Sequence, residues 1–323
     1  MNHGPAGRWS PLLRPLSWAY GPLSSWQIRR KQQGAVRLDV PVFSVGNLAV
    51  GGTGKSPFVR MLVRWLCEAG HHPVIAMRGY GSVDPNQADE VREHRNALPD
   101  VPVVAGADRG WELQKAQRGG LSFDCVVLDD GFQHTQLARD LDLVLVDGSR
   151  PPSRSTTLPS GWLREPPKAL RRADAWVISG AMSDRDQAET SQLAGQPPLA
   201  EVRPNWRQVC TPEGEQVSVE GKRCVVMAGI ARPERVREAL IQAGGIVSSM
   251  PALADHDPIS PAMLNQFRAL CEDADALLLT AKDAARLGDR LKDWPAPVWI
   301  PHMELTMPFG EEALRERVLS LLR

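Results

Sequence analysis

The run Gly51, Gly52, Thr53, Gly54, Lys55 and Ser56 carries the residue types of phosphate chemistry at a matching spacing. Glycines let a backbone turn tightly enough to aim successive N–H groups at phosphate oxygens, and a helix starting there adds partial positive charge. Lys55 would reach the β- and γ-phosphates of a nucleotide, and Ser56 would offer its hydroxyl to Mg2+. The strict pattern has Gly six residues before the Lys, where this chain has Ala49. A glycine-rich turn with a solvated lysine is the plainer alternative. The context argues against it, because an apolar run at residues 40–45 leads into the loop and an amphipathic one at 57–69 leads out.

A second anchor lies downstream, where the apolar residues 125–128 end in Asp129 and Asp130. In phosphate-loop enzymes an acid at such a strand end holds Mg2+. Adjacent acids could equally cap a helix, but the loop upstream favours the metal. Gly131, Phe132, Gln133 and His134 follow at once, placing an amide and an imidazole near that metal. Other histidines read as structural: His71 and His72 follow Gly70 at a helix end, and His3, His94 and His302 have no motif around them.

These groups need elements to position them. Short β-rich runs at residues 40–45, 74–77, 101–104, 125–128, 143–146 and 175–179 alternate with helical patterns, the signature of βαβ units. A second alternation has strands expected at 224–228, 246–250, 276–280 and 297–300, with helices at 233–242 and 260–271. The polar stretch 180–221 reads as the connection between them. The expected fold is α/β, with a parallel-sheet domain over 39–198 followed by a smaller α/β domain over 199–323. Residues 151–167, rich in Pro and Ser, read as a long surface loop of the kind that is often functional.

The charge total of 38 acids against 38 bases excludes a protein built to coat nucleic acid, so no nucleic-acid partner is expected. Five scattered cysteines without a C-x-x-C pair fit reduced thiols. The neutral total conceals a leader, residues 1–38, with six bases and no acid, carrying Trp9, Trp18, Tyr20 and Trp26. No apolar run is long enough to cross a bilayer. Leu12, Leu13, Leu16, Leu23 and Ile28 beside those bases suit an interfacial helix on an anionic membrane; a helix packed on the domain is the rival reading.

Taken together, several strings resemble the tetraacyldisaccharide 4'-kinase family, the lipid A 4'-kinases of Gram-negative bacteria. They are Gly46, Asn47 and Leu48 ahead of the loop; Arg78, Gly79, Tyr80 and Gly81; LDDGFQH at 128–134; Leu163, Arg164, Glu165 and Pro166; and Asp255 with His256. Members of that family likewise carry a small residue where Ala49 stands. The resemblance implies a phosphate-loop domain, a smaller α/β domain and a cleft between them, acting on the cytoplasmic face of the inner membrane. It implies transfer of the ATP γ-phosphoryl group to the 4'-hydroxyl of a tetraacylated glucosamine disaccharide 1-phosphate, giving lipid IVA.

By position, the resemblance assigns Gly51, Gly52, Thr53, Gly54, Lys55, Ser56, Gln133, His134, Arg164 and Glu165 to nucleotide and substrate, and Ser56, Asp129 and Asp130 to Mg2+. Arg78 and Lys55 would offset charge in the transition state. Asp89 aligns with the family's catalytic base, in a motif that reads Ala88, Asp89, Glu90 and Val91 here, and His256 aligns with the histidine that orients it. From the residues alone, two alternatives stay open: a membrane-recruited nucleotide switch, and a kinase of a soluble metabolite.

Overall fold

A computed structural model describes residues 12–79, 84–230, 233–253 and 259–322. The chain divides into two compact units, one of Met1–Arg203 with Leu305–Arg323 and one of Pro204–Glu304. The first contains, in order, α1 (Arg14–Gln32), β1 (Val42–Asn47), α2 (Lys55–Glu68), β2 (Pro73–Met77), α3 (Asp89–Ala97), β3 (Val103–Ala105), α4 (Arg109–Arg118), β4 (Cys125–Asp129), β5 (Leu141–Asp147), β6 (Ala175–Ser179), α5 (Asp184–Ala194) and the start of β7 (Ala200–Cys210). The second holds the rest of β7, then β8 (Gln216–Val217), β9 (Arg223–Met227), α6 (Pro233–Gln242), β10 (Ile246–Ser249), α7 (Pro261–Cys271), β11 (Ala276–Leu279), α8 (Ala281–Leu287) and most of β12 (Val298–Phe309). The end of β12 and α9 (Glu311–Leu319) return to the first unit.

In the first unit the strands lie in the order β3, β2, β4, β1, β5, β6, β7, and every neighbouring pair is parallel. β1, β2, β4, β5 and β6 are buried along their whole length, which is why they read as predominantly apolar runs. α2 turns Phe58, Val59, Leu62, Val63 and Leu66 onto Phe43, Ile75 and Val127 of the sheet. After β1 the chain builds outward on one side, and from β5 onward on the other. Ligands of open parallel sheets collect at such a reversal, beyond the carboxyl ends of the strands.

The second unit has its own parallel strands in the order β10, β9, β11, β12, with β8 antiparallel to β7. Alternate residues of β9 and β11 face two separate apolar clusters, Val225, Met227, Leu277 and Leu279 on one side and Cys224, Val226, Ala276 and Leu278 on the other.

Two expectations are corrected. The stretch 180–221 is not a plain connection, since it forms α5 and β7; Ser183 caps α5 by accepting from the Asp186 N–H. The C-terminal domain does not run from 199 to 323. Its boundary falls inside β7, and residues 305–323 belong to the first unit because Leu314 and Val318 of α9 are buried in that unit's core.

One buried acid of the sheet sets a pH dependence. Asp142 of β5 is 3% exposed, and burial pushes its carboxyl up to about 6 against the pull of Arg139, which donates to it at 3.0 Å. A carboxyl raised above its ordinary value of 3.8 holds its proton more tightly when folded. Its contribution to stability is therefore full below that value and is lost as pH rises through about 6. At about 1.4 kcal/mol per pH unit, Asp142→Asn is expected to gain about 2–3 kcal/mol relative to the parent chain between pH 4 and pH 7. Denaturant melts of both proteins across that range measure it; a pH-independent difference counts against it.

Candidate active site

The phosphate loop joins β1 to α2 at the carboxyl edge of the sheet. Gly54 caps α2 with φ 84, a left-handed conformation that glycine adopts without strain. Pro57 sits in the first turn of that helix, where no backbone N–H is needed. The loop is held at both ends: Asn47 Nδ2 donates to Thr53 Oγ1 at 2.9 Å, and the Ser179 hydroxyl donates to the Thr53 carbonyl at 2.7 Å. Its approach is paired with the long loop at 151–167, through Val50 N–H to the Trp162 carbonyl (2.8 Å) and Arg164 N–H to the Leu48 carbonyl (2.7 Å).

Asp129 and Asp130 are adjacent in sequence and face different partners. Asp129 ends β4, level with Val45 of β1, and is 3% exposed. Its Oδ2 accepts from His94 Nε2 at 2.9 Å, and the Ser56 hydroxyl bonds its carboxylate. Burial opposes its ionisation, but the hydrogen bonds from His94 and Ser56 and the charge of Lys55 hold its carboxyl below the usual range. Asp130 turns away with φ 55. One oxygen lies 3.5 Å from Lys55 Nζ, and the other accepts from Arg164 Nη1 at 2.8 Å. These two cations outweigh its burial and keep it ionised.

A polar chain continues from there. Arg164 also donates to Gln133 Oε1 at 3.3 Å, while Gln133 Nε2 donates to the Asn47 carbonyl at 2.9 Å and to Glu165 at 3.1 Å. Glu165, 1% exposed, is gripped by both terminal nitrogens of Arg172 at 2.9 and 3.0 Å. The Arg172 guanidinium lies 4.1 Å above the Phe132 ring and donates to the Phe132 carbonyl. Arg139 donates to the carbonyls of Gly131, Phe132 and His134. Two guanidiniums thus fix the turn after β4. Gly46 allows β1 to meet that turn, since a Cβ there would stand 2.6 Å from the Phe132 backbone nitrogen.

A parallel sheet presenting a phosphate loop, a metal-suited carboxylate and an arginine on one edge is the equipment of phosphoryl transfer. Comparison with known proteins narrows this. The family described as tetraacyldisaccharide-1-P 4'-kinase matches residues 9–323. The chain belongs to the tetraacyldisaccharide-1-P 4'-kinase family. A tetraacyldisaccharide 4'-kinase of Paramagnetospirillum magneticum is 36% identical over 310 residues, covering 89% of this chain and 92% of its own. One from Bradyrhizobium sp. is 35% identical, covering 99% and 96%. The crystal structure of LpxK from Aquifex aeolicus in complex with ATP superposes with a TM-score of 0.75 at 26% identity, over 97% of this chain and 99% of that one.

Within this kinase fold, contacts link Lys55, Ser56, Asp129, Asp130, Gln133, Arg164 and Glu165 directly. Gly51 and Gly52 are exposed on the loop, and His134 is buried with its carbonyl on Arg139. Arg78 follows the last residue of β2 at the same sheet edge, exposed, and Asp89 opens α3, also exposed. His256 lies outside the described residues.

Four contributors escape sequence reasoning. His94, read there as structural, is fully buried against Asp129. Arg172 and Arg139 clamp the turn from positions with no motif of their own, although a second basic residue seven places after Glu165 is a usable signal once Glu165 is placed. Glu90 shares the field of the site: loss of water around its carboxylate and the charges of Asp129 and Asp130 push its carboxyl up, opposed by Lys55.

Proposed function

We propose that this chain moves the γ-phosphoryl group of ATP onto the 4'-hydroxyl of tetraacyldisaccharide 1-phosphate, with the loop at 51–56 holding the triphosphate and Asp89 taking the hydroxyl proton. Kinase activity in lipid A biosynthesis follows from the family, whose members are named for this reaction. The observation that carries it to particular residues is the contact chain from Lys55 through Asp130 to Arg164 and Gln133 at the carboxyl ends of the strands.

In the step itself, the substrate oxygen bonds to the γ-phosphorus as the bond to the β-phosphate oxygen breaks, and ADP leaves. Loop N–H groups and Lys55 receive the negative charge on the phosphates, and Arg78 adds a second cation at the sheet edge. Asp89 sits in the first turn of α3, exposed at the start of the helix. The orienting role read for His256 rests on its motif.

Ser56 and Asp129 suit Mg2+, which favours hard oxygen donors and takes one or two carboxylates together with substrate phosphates. Their hydroxyl and carboxylate already meet, and Asp130 stands next to them with Oδ1 outside any hydrogen bond among the described residues. Those residues would hold Mg2+, and the chemistry it would supply there is neutralisation of charge on the triphosphate. Incubation with labelled ATP, Mg2+ and the acylated disaccharide tests the assignment. Label in the lipid phase is expected; label released only as free phosphate would instead fit a nucleotide switch.

The leader supplies the meeting with an acylated substrate. α1 is tied to the protein on one face, with the Ser17 hydroxyl donating to Ser160 Oγ at 2.8 Å and the Thr135 hydroxyl to the Ile28 carbonyl at 3.0 Å. Its other surface leaves Leu16, Trp18, Leu23 and Trp26 exposed, beside Arg14 and Arg30, with Leu12 exposed just ahead of the helix. No helix among the described residues is long and apolar enough to cross a membrane. Apolar side chains next to bases fit peripheral contact with an anionic leaflet, here the cytoplasmic face of the inner membrane. Changing Trp18, Leu23 and Trp26 together to Ser spares the packed face. It is expected to lower co-sedimentation with anionic vesicles at least tenfold while activity on detergent-dispersed substrate is kept; unchanged vesicle binding refutes the contact.

A further inference from the structure

The most unusual polar group near the site is His94. It is 0% exposed, on the inner face of α3 beside Val91, and its Nε2 lies 2.9 Å from Asp129 Oδ2. Its other ring nitrogen, Nδ1, is buried without a hydrogen-bond partner among the described residues. An apolar side chain would fill that space without stranding a polar atom, whose desolvation goes uncompensated here. The imidazole therefore costs stability where packing alone would favour leucine, and the one polar contact it gains is with the carboxylate that meets Ser56.

We propose that His94 is a positioning residue for the metal-binding acid: its Nε2–H fixes Oδ2 of Asp129 and so holds the carboxylate in the orientation in which it meets Ser56 and would meet Mg2+. The inference rests on the reading of Asp129 as a Mg2+ ligand. A carboxylate at a strand end rotates about its last torsion, and a single donor on one oxygen removes that freedom. Outer-shell partners of this kind commonly change metal affinity by about 10–100-fold when lost. To donate to that oxygen, Nε2 must carry a proton.

α3 thereby has two tasks. Its first residue, Asp89, is the proposed base, and its sixth, His94, is pinned to the end of β4. Less than two helical turns separate them, so the contact that orients Asp129 also fixes the level of the helix from which Asp89 projects.

The test uses the full chain with a non-hydrolysable ATP analogue and Mn2+, read by electron paramagnetic resonance, in the variants His94→Leu, His94→Gln and Asp129→Asn. His94→Leu is expected to raise the Mn2+ concentration for half-saturation at least tenfold, with metal-free nucleotide binding unchanged. His94→Gln, whose amide can donate in the same place, is expected to recover to within about threefold of the parent. Binding within twofold of the parent in folded His94→Leu, or equal tenfold losses in Leu and Gln, overturns the proposal. Asp129→Asn separates the two layers. If it loses Mn2+ and His94→Leu does not, the proposal falls alone; if Asp129→Asn binds normally, the metal reading falls and takes the proposal with it. Histidine-selective 15N labelling of the parent chain needs no variant to fold: a protonated Nε2 is expected, and an unprotonated Nε2 overturns the assignment.

Discussion

Lys55→Met is expected to cut phosphoryl transfer on the order of 10³-fold and leave the fold in place. Phosphoryl transfer asks a protein for position and charge rather than covalent chemistry, so the deletion removes the kind of help that counts. Loss of one preorganised donor from a charge-stabilising site costs roughly 10²–10³-fold elsewhere, and a full positive charge lies at the upper end of that range. The side chain is only 13% exposed, so water cannot easily replace it. Stability is spared for a specific reason: Asp130 loses a neighbour at 3.5 Å and keeps Arg164 at 2.8 Å, so no buried carboxylate is stranded. Rate measurements with labelled ATP and a thermal melt check both halves. Turnover within tenfold of the parent would remove Lys55 from the transition state.

The second large effect is expected at α3. Asp89→Asn should leave ATP binding unchanged and lower turnover at least a hundredfold, because a positioned carboxylate base is typically worth roughly 10²–10⁴-fold. Its neighbour makes the experiment sharper. Loss of water and the charges of Asp129 and Asp130 push the Glu90 carboxyl above its ordinary value, against the pull of Lys55, and a raised carboxyl also suits a base. Running Asp89→Asn beside Glu90→Gln decides between them. The expected outcome is a hundredfold loss in the first and less than tenfold in the second. The reverse pattern would move the base one residue along the helix, and the pH–rate profile of the surviving variant would then show which carboxyl titrates.

Much of the first unit was legible in the sequence because its chemistry is contiguous. The phosphate loop needs its glycines, Lys55 and Ser56 in one stretch, and a strand buried on both faces carries a continuous apolar stretch such as Leu143–Val146. β7 was not legible, since Pro204, Asn205 and Arg207 break the run that would have announced it. Long-range partners were hidden for a different reason. His94 meets an acid 35 residues away, and Thr135 meets the leader carbonyl of Ile28 at a separation of 107; neither residue has a local pattern that encodes its partner. Asp129 and Asp130 were found as a pair, but only the backbone turn at φ 55 divides them into a carboxylate for Ser56 and one for Lys55.

The return of residues 305–323 to the first unit has a consequence for biosynthesis. A ribosome delivers the phosphate loop, residues 51–56, long before the core behind it has received Leu314 and Val318. All of Pro204–Glu304 must be made in between. The loop is thus made before the core behind it is complete, and a nascent chain stopped between Glu304 and Leu314 carries a complete loop on an incomplete core. Termination there should therefore impair ATP binding although the loop itself is intact.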